Sequence, residues 1–236
     1  MLLEKNNQIL IEVVGLRTDF NGHLIHKSIS FKVYKGSVFV LMGPSGAGKS
    51  SLINFLIQKD SVSKGLIYWK SELWDKSNLI AKIGYSPQNR GLFTDLNVGE
   101  NIAFPLIYSF GFNKSDAYEL AMVALVRVGL DNTVFYKDIS SLSGGMFKRV
   151  LIARSIILSQ ELLILDEPLS GLDKKTASNL KILIDDLKKE GKTIICITHD
   201  YIEGDYYGIL QGGELFTGTR ENEKITNFID VYFKDK

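Results

Sequence analysis

Gly43-Pro-Ser-Gly-Ala-Gly-Lys-Ser50 follows the apolar run Val38-Phe-Val-Leu-Met42 and opens a helix-period segment that begins near Lys49. A strand, a glycine-rich turn and a helix in that order are the setting in which this pattern cradles phosphate. The glycines let the backbone curl so that consecutive N–H groups point inward at anionic oxygens. The helix start adds its partial positive charge. Gly43, Pro44, Ser45, Gly46, Ala47 and Gly48 form the cradle, with Ser51 following on the helix. Lys49 reaches the terminal phosphates as a point charge, and the Ser50 hydroxyl can ligate Mg²⁺. The alternative is a glycine-rich turn with an exposed lysine. On its own the loop indicates an NTPase and does not separate kinases, GTPases and motors.

Working outward, Gln8–Val14, Ser30–Val33, Leu66–Trp69 and Lys82–Ser86 read as strands, with turn signals at Asn21-Gly22 and Lys35-Gly36. A helix is expected over Lys49–Ile57. The middle changes to helical periodicity over Val98–Phe110, Ser115–Val128 and Gly144–Leu158, broken by Pro105, Gly111 and Gly129. Leu162–Leu165 and Thr193–Thr198 then read as strands on either side of a helix at Lys174–Lys189. The chain closes with a hairpin, Tyr206–Leu210 and Glu214–Thr217, and a short terminal helix. Unbroken apolar strands alternating with helices imply an α/β fold with a mostly parallel sheet covered on both faces. We expect one domain over 1–236 in two lobes: 1–88 with 159–236 as the core, including an N-terminal antiparallel β subdomain, and about 89–158 as an inserted helical subdomain.

Leu162-Leu-Ile-Leu-Asp-Glu167 ends a buried strand in two carboxylates. In open parallel sheets ligands bind at that carboxyl end. Asp166 is suited to Mg²⁺, a hard cation that takes oxygen ligands, and Glu167 to polarising an attacking water. Acids that merely solvate a loop ahead of Pro168 would look the same in isolation.

Leu142-Ser-Gly-Gly-Met146 precedes the helix Phe147–Leu158. A serine and two glycines at a helix start make a second anion site, Ser143 with the Gly144 and Gly145 amides, or else an ordinary helix cap. Arg149 and Arg154 project in different directions from that helix and suit structural ion pairs. The segment resembles the signature motif of ABC-type ATPases, and other elements occur in that family's order over nearly the whole chain. The resemblance makes Phe20 the aromatic that stacks on adenine, though the commoner residue there is Tyr. It makes Gln88 the loop glutamine that senses Mg²⁺ and water, Ser170-Gly-Leu-Asp173 the loop that communicates across a dimer, and His199 the histidine that contacts the γ-phosphate. It implies an ABC-type P-loop NTPase fold, ATP and Mg²⁺ as cofactors, and catalysis by Glu167, His199 and Gln88. It also implies a second copy of the chain, whose Ser143 and Gly145 act in trans on each ATP.

Gln88-Asn-Arg-Gly-Leu-Phe-Thr-Asp-Leu-Asn-Val98, Asn101-Ile-Ala-Phe-Pro-Leu106 and Met146, where most signatures carry Gln, are similar to the ATPases of Mla-type and Mce-associated lipid transport systems. That likeness implies phospholipid or lipid cargo across the bacterial envelope, an integral-membrane permease, a STAS-domain partner and an Mce-domain lipid-binding protein. The chain would lie on the cytoplasmic face of the inner (plasma) membrane, held there by the permease. Another ABC importer or exporter, of lipoprotein-releasing or amino-acid type, is the alternative. Between His199-Asp200 and Tyr206 the family usually has a longer helix, and the stretch from Ser50 to Gln88 is short.

The bulk composition fits. Lys+Arg 28 against Asp+Glu 27 leaves a net charge of +1, which speaks against a nucleic-acid partner. No run approaches the roughly 18 apolar residues of a membrane span, and charge interrupts Met1–Asn7 too early for a signal peptide. The single cysteine, Cys196, reads as a small buried hydrophobe. A soluble ABC-type repair or translation ATPase would need a long coiled-coil insertion or a second cassette. A P-loop kinase would leave Ser143–Met146 and His199 unexplained.

Overall fold

β3 (Val38–Met42) is buried at every position, and it leads through the glycine turn into α1 (Lys49–Leu56). The computed structural model describes residues 8–20, 23–57, 63–74, 83–88, 91–158 and 161–233. Met1–Asn7, the Asn21-Gly22 turn, Lys82, Asn89 and Arg90 lie outside the described residues.

The chain forms two compact units, Met1–Ser77 with Tyr201–Lys236, and Asn78–Asp200. In the first, β1 (Ile9–Phe20) and β2 (His23–Tyr34) pair antiparallel, and β4 (Ser63–Trp69) and the short β5 (Glu72–Leu73) extend the sheet. β1 and β2 each run longer than the sequence reading, with register shifts along their pairing. β2 alternates buried and exposed residues from Ile29 to Val33, as expected of a strand with one wet face. β3 pairs in parallel with β9 (Tyr206–Gln211), which turns back into β10 (Glu214–Gly218). α6 (Glu223–Phe233) packs on β10. No helix intervenes over 201–205. Instead, Asp205 clamps β3, its N–H donating to the Val38 carbonyl and its Oδ2 accepting from the Val38 N–H, both at 2.9 Å.

In the second unit β6 (Ile83–Ser86), β7 (Leu162–Asp166) and β8 (Thr193–Ile197) pair in parallel. Leu162, Leu163, Ile164 and Leu165 are at most 1% exposed. Burying such a side chain is worth roughly 1.5–3 kcal/mol, so this strand anchors the acids at its end. α2 (Val98–Phe110), α3 (Lys114–Arg127) and α4 (Gly144–Leu158) pack on one another, α4 also lies on β6, and α5 (Lys174–Lys189) on β8.

Pro105 does not break α2, contrary to expectation. A proline removes one ladder bond, but here both ends of the helix are fixed. Asn97 and Glu100 form a reciprocal capping box, and Gly111, at φ 70, closes the C-terminus. Ile102 and Leu106, buried on either side of the proline, hold it by packing. Arg149 likewise departs from the expected ion pair. It donates to the Gly129 carbonyl at 2.8 Å and the Gly145 carbonyl at 3.3 Å, both within reach along or beside its own helix.

Candidate functional site

The cradle 43–50 is shaped by what passes beside it. Gly43 has φ 151, and a Cβ there would lie 2.2 Å from the Leu210 carbonyl oxygen of β9. Gly48 has φ 98, and a Cβ would lie 2.6 Å from Ile25 and 2.8 Å from His26 Nε2. Only glycine fits either position. α1 starts at Gly48 with no side-chain cap and no acid in its first turn, whereas Asn97, Asn113 and Asp173 cap α2, α3 and α5. A helix start left without a side-chain acceptor keeps donors for an anion.

Lys49, 8% exposed, donates from Nζ to the carbonyls of Gly43 at 2.8 Å and Pro44 at 3.0 Å. Its ammonium therefore folds back over the loop. Ser50 is exposed and Ser51 half-buried. Phe20 is the last residue of β1, opposite His23.

In the second unit, Glu167 sits just past β7 with φ 52, a left-handed conformation that costs a non-glycine residue free energy. Three bonds hold it there: its N–H donates to Ile197 O at 2.8 Å, and its carbonyl accepts from Ser170 N at 3.3 Å and Lys148 Nζ at 2.7 Å. This turns the carboxylate toward His199, whose Nε2 is 3.3 Å from Glu167 Oε1 and whose backbone N–H donates to Oε2 at 3.2 Å. Thr198 Oγ1 accepts from Asp200 N at 2.8 Å and so fixes the turn that carries His199. Asp166 and Glu167 are 8% and 5% exposed. Burial, with Asp166 adding to it, pushes the Tyr85 phenol up to about 12. Burial also lowers the Lys148 ammonium, against the opposing charges of Glu167, Asp166 and Asp200.

Gln88 is exposed in the bend after β6. Ser143 is exposed at the start of α4, and its Oγ accepts from Met146 N at 3.3 Å. The hydroxyl thus caps the helix, and its hydrogen stays directed elsewhere. Gly144 and Gly145 occupy the first turn. Asp173 caps α5, accepting from Thr176 N at 3.0 Å.

Two residues that sequence reasoning passed over belong to this architecture. His26, fully buried on β2, bridges Thr18 Oγ1 at 3.0 Å and the Gly48 carbonyl at 3.1 Å. Lys148, 7% exposed, supports Glu167 from α4. A buried polar pairing across many residues leaves no local pattern, so no sequence signal singles out either one.

The family model described as ABC transporter matches residues 26–170, more than half of the chain. The chain belongs to the ABC transporter family. It is 32% identical over 196 residues to the glutamate transport ATP-binding protein GluA of Corynebacterium glutamicum, covering 81% of each chain. It is 33% identical to the ergothioneine transport ATP-binding protein EgtV of Helicobacter pylori, covering 81% of this chain and 90% of that one. With the spermidine/putrescine import ATP-binding protein PotA of Fusobacterium nucleatum it shares 36% identity over 87% of this chain and 56% of that one. The solved dimeric structure of MJ0796, a bacterial ABC transporter cassette, superposes with a TM-score of 0.84 at 26% identity, covering 90% of this chain and all of that one.

This chain is accordingly an ATP-binding ABC transporter subunit with the ABC cassette fold, and an ATPase that uses ATP and Mg²⁺. The residues present fit both. Backbone donors and Lys49 suit phosphate, and the Ser50 hydroxyl and Asp166 carboxylate are hard oxygen donors of the kind Mg²⁺ takes. Among the described residues no helix is long and apolar enough to cross a membrane.

Proposed function

We propose that this chain binds ATP through the 43–50 cradle and hydrolyses it with Glu167 as the base, as one half of a dimer that drives a membrane permease. The Glu167–His199 pair carries this reading. A carboxylate held by a left-handed backbone and bonded to one histidine through both of its oxygens is oriented before substrate arrives.

Lys49 and the loop amides bind the phosphates and neutralise charge on them. Ser50, Gln88 and Asp166 would hold Mg²⁺, which when bound neutralises phosphate oxygens as a Lewis acid. Glu167 accepts a proton from the attacking water. His199, donating to Glu167, keeps that carboxylate aimed and contacts the γ-phosphate. Ser143, Gly144 and Gly145 act on the ATP of the partner copy, from a helix start where Ser143 and Gly144 are exposed. Phe20 stacks on the adenine. Segment 89–158 serves as the helical lobe, and 1–88 with 159–236 as the core.

That lobe presents an aromatic ladder. Phe93 stands 4.7 Å from Phe104, which stands 4.4 Å from Tyr108, and Phe93 and Tyr108 are 46% and 73% exposed. Exposed rings in a row suit a helix docking from a permease, and such docking accords with a position on the cytoplasmic face of the membrane.

Two cargo readings rest on different observations. Met146 and the 88–106 segment favour lipid, with STAS-domain and Mce-domain partners. The names of GluA, PotA and EgtV favour a small polar solute. Tagged chain incubated with solubilised membranes should retain a polytopic permease; recovery of ribosomes or DNA instead would overturn the transport reading. ATPase stimulation of the reconstituted complex by phospholipid, or by amino acids and polyamines, then separates the cargoes.

A further inference from the structure

The Lys148 side chain crosses from the signature helix to the acid-bearing turn. Lys148 is 7% exposed, and its ammonium donates to two backbone carbonyls, Glu167 O and Ser170 O, each at 2.7 Å. These are charge-assisted bonds, shorter and stronger than neutral ones. They fall on the residue that most needs restraint, since Glu167 is the one described residue outside the Lys70-Ser71 turn that has a positive φ without being glycine. Ser170 lies three residues on, in the loop that ends at the α5 cap, Asp173.

An apolar side chain at 148 would fill the same space but remove a donor from each carbonyl, leaving Glu167 O with the longer bond from the Ser170 N–H. The buried charge is costly for a helix to carry, and a contact made only for packing would not need it. We infer that Lys148 is a positioning residue for hydrolysis: it pins the backbone on both sides of Pro168-Leu169, and so fixes both the aim of the Glu167 carboxylate and the path of the 170–173 loop.

The inference rests on Glu167 being the base. Its consequence is specific. Glu167 keeps two further backbone bonds without Lys148, so the turn stays folded but loses its sharp definition. A misplacement of about 1 Å at a reacting group costs about 10²-fold in rate. Nucleotide binding, which relies on the 43–50 cradle, is untouched.

The test compares Lys148→Met, Lys148→Gln and Glu167→Gln with the unmodified chain, measuring kcat, KM for ATP, binding of a fluorescent ATP analogue and thermal midpoint. Methionine is unbranched and one atom shorter, and it removes the donors. Glutamine keeps two N–H donors without the charge. The expected result is a 10- to 100-fold fall in kcat for Lys148→Met, with KM and analogue affinity within about threefold, and recovery of most of that loss in Lys148→Gln. Lys148→Met with unchanged kcat overturns the inference. So does a Gln variant no faster than the Met variant, or loss of kcat and nucleotide affinity together in both variants, which would make Lys148 merely structural. Should Lys148→Met fail to fold, Lys148→Gln decides alone: kcat more than 100-fold down at normal affinity contradicts the account. Glu167→Gln reports separately, because its retention of activity sinks the base assignment whatever Lys148 does.

Discussion

Glu167 and His199 meet twice: His199 Nε2 lies 3.3 Å from Oε1, and the His199 backbone N–H donates to Oε2 at 3.2 Å. The backbone contact survives substitution at 199 by any residue but proline, while the ring contact does not. His199→Ala should therefore lower kcat by about 10²-fold, the lower end of general-base effects, and leave KM for ATP within about threefold. Steady-state ATP hydrolysis checks this. A variant at full rate would remove His199 from the chemistry.

Ser143 and Glu167 are proposed to serve different nucleotides within one dimer. Ser143→Arg and Glu167→Gln should each be inactive yet bind ATP. Mixed, the two should regain hydrolysis, because one of the two shared sites in a mixed dimer then combines an intact Glu167 with an intact Ser143. A mixture no faster than its components would argue for sites complete within single chains.

Gly43→Ala would place a methyl carbon 2.2 Å from the Leu210 carbonyl, in a backbone conformation that L side chains rarely adopt. Forced repacking of this kind costs about 1–3 kcal/mol. A lower thermal midpoint and weaker ATP binding should appear together, since the strand that clashes also frames the cradle. Calorimetry with and without nucleotide measures both.

Cys196 is fully buried, and burial pushes its thiol up from 9.0 to about 12. The unfolded chain ionises first as pH rises, so stability is undiminished below about pH 9 and declines between about pH 9 and 12. Tyr85, raised from 10.0 to about 12, adds to the upper part of that window. Denaturant midpoints measured across this range should fall, and less steeply in Cys196→Ala. Below pH 9 the folded chain should resist thiol alkylation until it is denatured.

Much of this architecture was legible because its signals are local. Val38–Met42, Val98–Phe110, Gly144–Leu158 and Lys174–Lys189 have the bounds that apolar period and capping residues indicate. Asn97 and Asp173 sit where helix caps belong. Lys148 and His26 were not legible. Lysine on a helix normally snorkels to water, and only a turn 19 residues away makes this one a buried donor. His26 finds Gly48 22 residues on. The 88–106 segment taught the opposite lesson. Asn101, part of the pattern that suggested lipid, is wholly buried and bonds the Phe93 N–H and the carbonyls of Phe93, Leu96 and Asn97. It shapes the loop that presents Phe93, a role that any cargo would allow.

The central claim is a dimer that closes on binding ATP and reopens through Glu167-dependent hydrolysis. Light scattering of Glu167→Gln with and without Mg-ATP tests it most directly. The account predicts a monomer without nucleotide and a stable dimer with it, reverting when ATP is removed. A Glu167→Gln chain that binds ATP and stays monomeric would contradict it.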